Sequence, residues 1–292
     1  MTQKDCSVTT QTDYSVYRDV VNQLMSGNEQ LPSLPSITFD IRRALEQPDI
    51  SFLSLSKLIA KDPSLSALLL KCASSPQFNS HLPPQHLLDV VRILGMIQVE
   101  RITMAHSIKS LFTIHSSHHK RLFIDAWNRI ALKASVCTYI AQRLGAVTPD
   151  HALLGSILSE VGTLAVLSAF KKQPTPQPNI YIALCREYSK SLGTIMLKKW
   201  QVSEEYIHAL RQTGDWSAKS SGSLNLSDII NLGLYHSLKI RKLGKDLPAI
   251  DTLAAYNKLP SLQNRLTPSG ELKLVMDHIA EIRGLSRSLF SL

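Results

Sequence analysis

An all-α fold is predicted by three features of the sequence. Apolar residues recur at spacings of three and four. Ile130, Ala134, Cys137, Ala141 and Leu144 form one such stripe, closed by Gly145. Leu184, Cys185, Tyr188, Leu192, Ile195 and Met196 form a second, and Leu272, Val275, Met276, Ile279 and Ile282 a third. Each stripe is the buried face of an amphipathic helix and needs helical neighbours. Start signals agree: Asp62 precedes Pro63, Thr148 precedes Pro149, and Ser203 precedes Glu204 and Glu205. A capping oxygen thus stands before a residue suited to a first turn. Strand signals are scarce, because pairs such as Val90–Val91 sit inside helical spacing and no Asn-Gly or Asp-Gly hairpin turn occurs.

Taken in order, residues 1–12 read as a polar tail, and Tyr14, Tyr17, Val21 and Leu24 as a short amphipathic helix before Gly27, so that 1–26 form an N-terminal segment. The prolines at 174, 176 and 178 make Lys171 to Asn179 a stiff connector, since proline fixes φ and removes a donor. A softer break, Ser217 to Ser223, precedes a helix carrying Leu226, Ile229, Ile230 and Gly233. Residues 217–292 are therefore expected to be C-terminal helices, and no solenoid repeat is present.

Of the 292 residues, 44% are hydrophobic and 19% charged, which excludes intrinsic disorder and supplies ample core material. Cys6, Cys72, Cys137 and Cys185 are too widely spaced for a local metal or redox pair and do not read as a disulfide framework. Cys72, Cys137 and Cys185 sit on apolar helical stripes and read as buried small hydrophobes. Lys4, Asp5 and Asp13 interrupt the place a secretory signal would need. The most apolar stretch, Ile157 to Phe170, is cut by Glu160, so no membrane span is expected and a cytoplasmic location is. The net charge of +9 is spread over the chain, densest at Lys239, Arg241, Lys242 and Lys245. Nucleic acid is therefore only a subsidiary expectation.

Three sets of residues carry a family resemblance. LPSLPS (Leu31 to Ser36) is followed by a helix and by the run Gln47 to Ser75 with its Asp62–Pro63 turn. VVRILGMIQVERI (Val90 to Ile102) follows, and then Trp127, Ala152, Gly162, Gly193, Leu197 and Trp200. Their order and spacing resemble the HDOD domain of bacterial signalling proteins, a catalytically degenerate relative of the HD-superfamily metal-dependent phosphohydrolases. The resemblance covers about residues 27–216. It implies a multi-helix HD-like bundle of two helical lobes, an N-terminal lobe over about 27–113 and a degenerate HD lobe over about 120–216, with the C-terminal helices added.

The resemblance also locates what is missing. The name-giving His-Asp pair of the HD superfamily falls on Ser159 and Glu160, a further histidine on Ser189, and a histidine pair on Gln212 and Thr213. A catalytic cation needs several nitrogen or oxygen ligands converging on it, and one carboxylate does not supply them. His151, nine residues before Glu160, is about 13 Å away along a helix and cannot share a small ion with it. No catalytic residue, metal or cofactor is therefore assigned, and Glu160 is expected to be a hydrogen-bonded or solvated polar residue of an inherited pocket.

Other constellations read as structural or solvated. His115, His118 and His119 lack a nearby carboxylate and read as a solvated loop, Arg283 and Arg287 as a solvated helix end, and Trp127 and Trp200 as packing anchors. Lys120, Arg121 and Arg129, with Trp127, mark an expected recognition surface beside the lobe junction. The resemblance implies non-catalytic regulation in signal transduction, through a signalling protein partner or a small-molecule or nucleotide signal. The alternatives are a metal-dependent phosphohydrolase with an atypical site and a nucleic-acid-associated regulator.

Overall fold

The computed structural model describes residues 5–26, 32–74, 84–115, 119–218 and 222–290. These residues are helices and their connections, and the one β-type contact among them is an isolated bridge between Leu266 and Leu272. The fold is all-α, as the periodicity requires. Helix α1 (Asp5–Met25) is longer than the segment Tyr14 to Leu24 that its apolar residues mark out. Asp5 to Asp13 is rich in weak helix formers, but it contains neither glycine nor proline to break the helix.

The chain divides into two compact units, Ser33–Leu111 and a larger one made of the residues up to Pro32 together with Phe112–Ser291. The smaller unit holds α2 (Ser36–Leu45), α3 (Phe52–Ile59), α4 (Pro63–Ala73), α5 (Leu87–Leu94) and α6 (Met96–His115) through Leu111. Its core is built on Ile41, Leu55, Ile59, Leu65, Leu69, Val90 and Val91. The cap at Asp62 forms as expected: its carboxylate accepts the Leu65 N–H at 3.0 Å, with Pro63 at the first helical position. Such a bond satisfies a backbone donor that the helix itself leaves without a partner.

In the larger unit, α7 (Lys120–Leu144) is the element around which the others pack. Ile130, Ala134, Cys137 and Ala141 of the expected stripe are buried, and Gly145 ends the helix at φ 68°. Against α7 lie α8 (Pro149–Leu158) and α9 (Val161–Ala169), which turn at Ser159 and Glu160. Pro149–Ala169 is apolar enough to pass for a membrane span by length and composition, yet 78% of its most apolar window is buried inside the fold. Helices α10 (Pro178–Lys199) and α11 (Glu204–Gln212) follow, then α12 (Leu226–Ile240), α13 (Lys273–Met276) and α14 (Ile279–Phe290). The third stripe is thus not one helix. Leu272 precedes α13, and a turn at Asp277 and His278 separates α13 from α14, while Leu272, Val275 and Ile282 still reach the core. Burial is satisfied without helical continuity, because the bridge to Leu266 holds Leu272 in extended backbone.

Two backbone approaches explain glycines in the motif region. A Cβ on Gly162 would stand 1.8 Å from the carbonyl oxygen of Ser189, so α9 and α10 cross with their backbones in contact. A Cβ on Gly233 would stand 2.2 Å from the Cys137 Sγ, which seats α12 on α7. Trp200 is fully buried, and its indole N–H donates to the Pro32 carbonyl at 3.2 Å, tying the end of α10 to Pro32.

His236 on α12 is fully buried. Its Nδ1–H donates to the Leu232 carbonyl at 2.7 Å, and its Nε2 accepts the Leu272 N–H at 3.0 Å. This is a satisfied neutral imidazole, and burial pushes its pKa down from 6.5 to about 4. The unfolded chain takes up the proton first, so this contribution is complete above the unfolded value and is lost as pH falls through the window down to the folded one. About 3 kcal/mol is involved. Urea unfolding of wild type is expected to weaken across that acidic window, and His236→Asn to flatten the slope. An unchanged slope in the variant would assign the effect to other groups.

Candidate functional site

The site is built on an interrupted apolar stripe. Lys133 lies on the same face of α7 as Ile130, Ala134 and Cys137, and its side chain is 2% exposed. Its ammonium donates to Glu160 Oε1 at 2.6 Å and to Ser159 Oγ at 2.8 Å, both at the turn between α8 and α9. The Ser159 hydroxyl in turn donates to the Ser156 carbonyl at 2.7 Å, and the Thr163 hydroxyl to Glu160 Oε2 at 3.1 Å. Both oxygens of Glu160 are therefore occupied by donors, which is what a partly buried carboxylate requires.

This pair borders a cavity of about 320 Å³ between α7, α9, α10 and α12. From α7 come Arg129, Ile130 and Lys133; from the α8–α9 turn and α9, Glu160 and Thr163. From α10 come Tyr181, Cys185, Arg186 and Ser189, and from α12 and its C-cap Leu234, Leu238 and Arg241. The Tyr181 hydroxyl donates to the Thr163 carbonyl at 3.0 Å, and burial raises its pKa well above the ordinary tyrosine value. Burial likewise pushes the Cys185 thiol up to about 12, so it stays protonated and is a poor nucleophile. Cys137 is buried and pushed up to about 11, and the Cys72 thiol is raised by burial. Partial desolvation and the like charge of Arg129 lower the basicity of Arg241.

Of the five positions that the resemblance matches to metal ligands, the structure brings Ser159, Glu160 and Ser189 to this region. Gln212 and Thr213 are not among its lining residues. The Gln212 carbonyl accepts from Asn231 Nδ2 at 3.1 Å and the Thr213 hydroxyl donates to the Ala209 carbonyl at 2.8 Å, so both belong to a structural corner between α11 and α12. His151 lies 3.3 Å from Glu205 rather than near Glu160. The residues do not fit a catalytic cation: an ammonium ion already sits on the one carboxylate, and among the described residues no group of three His, Cys, Asp or Glu side chains is assembled to hold a metal.

Trp127 is 4% exposed and stacks on Phe123 at 6.2 Å, so it is a packing residue and not part of an open surface. Lys120 and Arg121 are exposed at the start of α7. Nine residues separate Lys120 from Arg129, which at 3.6 per turn places them on opposite sides of the helix. The four residues of the expected recognition surface therefore do not form one patch. The solvated-loop reading fails for His119, which is 2% exposed and spans two acceptor or donor groups: Nε2–H donates to the Phe170 carbonyl at 2.8 Å, and Nδ1 accepts from the Thr175 hydroxyl at 2.9 Å. His119 is buried because the connector after α9 folds over it, through Phe170 and Thr175. His118 and the side chain of His115 lie outside the described residues. Arg283 and Arg287 are exposed on α14, as expected.

Sequence reasoning passed over Lys133 and Arg186, and took Arg241 only as part of the basic run Lys239 to Lys245. For Lys133 a signal existed, a lysine inside the apolar stripe of α7. For the meeting of the arginines at one cavity there was none, because charges on separate helices carry no local mark of it.

Fold and site together define a helical bundle of the HD type with a ligand-poor centre. The HDOD domain profile matches residues 31–215, most of the chain, and the chain belongs to the HDOD family. An uncharacterized protein of Treponema pallidum (strain Nichols) is 22% identical over 199 residues, covering 63% of this chain, which spans 37% of that relative's length. Two crystal structures share the fold at 18% identity. One, from Shewanella amazonensis SB2B, is named "Putative metal-dependent phosphohydrolase" and superposes with TM-score 0.72 over 94% of this chain and 99% of its own. The other, an HDOD domain protein with unknown function from Geobacter sulfurreducens, gives 0.63 over 97% and 99%. A "Putative signal transduction protein" from Marinobacter aquaeolei VT8 gives 0.62 over 96% of this chain and 65% of its own.

Proposed function

We propose that this chain is a non-catalytic regulatory protein of signal transduction, located in the cytoplasm and acting through protein contacts or a small signal held in the cavity of the larger unit. The observation that carries this reading is the Lys133 ammonium bonded to Ser159 and Glu160 where the HD superfamily places its His-Asp pair. A cation approaching Glu160 meets a positive charge 2.6 Å from its one carboxylate ligand, and the remaining positions offer hydroxyls or an amide in place of imidazoles. Hydrolysis of a phosphate ester by this superfamily's route needs a polarising metal and an acidified water, and this set of side chains prepares neither.

The test is elemental analysis and hydrolysis on untagged protein. Substoichiometric Fe, Mn and Zn, no rise in melting temperature on metal addition, and intact phosphomonoesters and cyclic dinucleotides are expected. One metal per chain, or turnover proportional to protein and abolished by Glu160→Ala, would establish the phosphohydrolase alternative instead. DNA binding with a steep salt dependence would favour the nucleic-acid alternative.

For partner contacts, Lys120 and Arg121 are the exposed charges at the start of α7. Reversing both to Glu is expected to weaken capture of a signalling partner at least severalfold with the melting temperature unchanged, since exposed charges contribute little to stability. Equal capture by variant and wild type would place recognition elsewhere.

A further inference from the structure

We infer that the cavity between α7, α9, α10 and α12 is a binding site for a small phosphate monoester whose apolar body lies on the cavity's inner wall. The inference deepens the regulatory reading above by naming the class of signal that the pocket takes.

Charge is the first argument. Lys133 is neutralised by Glu160, but Arg129, Arg186 and Arg241 reach the same cavity from three different helices or their ends. Among the described residues no carboxylate forms a salt bridge with any of the three. Arg129 and Arg241 are close enough for the charge of one to depress the basicity of the other. Asp125 acts on Arg241 in the opposite sense, but the three arginines still outnumber the carboxylates acting on them, and an anion in the cavity offsets the remaining like charge. Arginine side chains lining one volume from three helices can offer a phosphate paired donors.

The second argument is the wall. Ile130, Tyr181, Leu234 and Leu238 also line the cavity, with Cys185 held as a neutral thiol. The volume of about 320 Å³ lies at the lower end of small-molecule pockets and is too small for a peptide chain or a nucleic acid to enter. Glu160 is part of the wall, but both its oxygens are engaged by Lys133 and Thr163 and its charge is offset by the Lys133 ammonium.

The experiment is calorimetric titration of the full chain with AMP, inorganic phosphate and adenosine as probes. AMP is expected to bind, phosphate to bind at least about tenfold more weakly because it leaves the apolar wall uncovered, and adenosine not to bind detectably. Arg129→Gln or Arg241→Gln should weaken AMP by about tenfold or more, with Arg→Lys retaining part of the affinity because charge persists and the bidentate fork does not. Melting curves verify that these variants fold, and Lys198→Gln, a lysine that does not line the cavity, should leave AMP affinity unchanged. Adenosine binding as tightly as AMP, AMP affinity unaltered in both arginine variants, or no binding of AMP and phosphate at millimolar concentration would each overturn the site. Hydrolysis of bound AMP would leave the site standing and overturn the non-catalytic reading.

Discussion

Gly162→Ala is expected to abolish stable folding of the larger unit or to lower its stability by at least about 4 kcal/mol, beyond the ordinary range for one methyl group. The added carbon meets the Ser189 carbonyl oxygen at 1.8 Å and the Gly193 nitrogen at 2.9 Å. Both are backbone atoms of α10, so relief requires moving a whole helix away from α9. Two other glycines give the scale. On Gly155 a Cβ meets the tip of Leu226 at 2.9 Å, a flexible contact, and Gly155→Ala is expected to change stability by only about 1 kcal/mol in either direction. On Gly284 it meets nothing within 4 Å, and Gly284→Ala is expected to stabilise by up to about 1 kcal/mol through helix propensity. Denaturant midpoints of the three variants measure the series. A Gly162→Ala protein melting within a few degrees of wild type would show that α9 and α10 are not in backbone contact.

The second large effect concerns the ion pair at the centre of the site. Glu160→Ala leaves the Lys133 ammonium, 2% exposed, with no counter-charge, and is expected to cost about 3–5 kcal/mol. Lys133→Met leaves Glu160, 21% exposed at the cavity, where water hydrates it, and is expected to cost less. The double variant Lys133→Met with Glu160→Ala removes both charges and is expected to return to within about 1–2 kcal/mol of wild type. Additive costs in the double variant would show that the pair does not act as a unit.

The helices were legible because their determinants are local. Asp62 caps α4 through a bond three residues long, Gly145 stops α7, and apolar spacing of three and four places Ile130, Ala134, Cys137 and Ala141 on one buried face. The motif glycines were legible as members of a pattern, but their reason was not. Gly162 touches Ser189 of α10, 27 positions along the chain, and only the crossing of the two helices shows why a side chain is excluded there. The third stripe misled because burial was read as helix. Leu272 is buried from extended backbone, and apolar spacing cannot tell the two apart over a few residues.

By itself the sequence determined an all-α chain and the starts of α4, α8 and α11. These follow from periodicity and residue identity, each of which acts within a turn or two of helix, whereas the absence of imidazoles at Ser159, Ser189, Gln212 and Thr213 took its meaning from the family resemblance. Only the tertiary structure decided that Lys133 takes the place beside Glu160, that His119 and Trp127 are interior, that Gln212 and Thr213 stand apart from the cavity, and that Arg129, Arg186 and Arg241 converge on it. The physical reason is that charge interaction and desolvation depend on distance through space. Residues 27 positions apart in Lys133 and Glu160 are brought to 2.6 Å by packing of α7 against the α8–α9 turn, a consequence of the whole core and not of either segment.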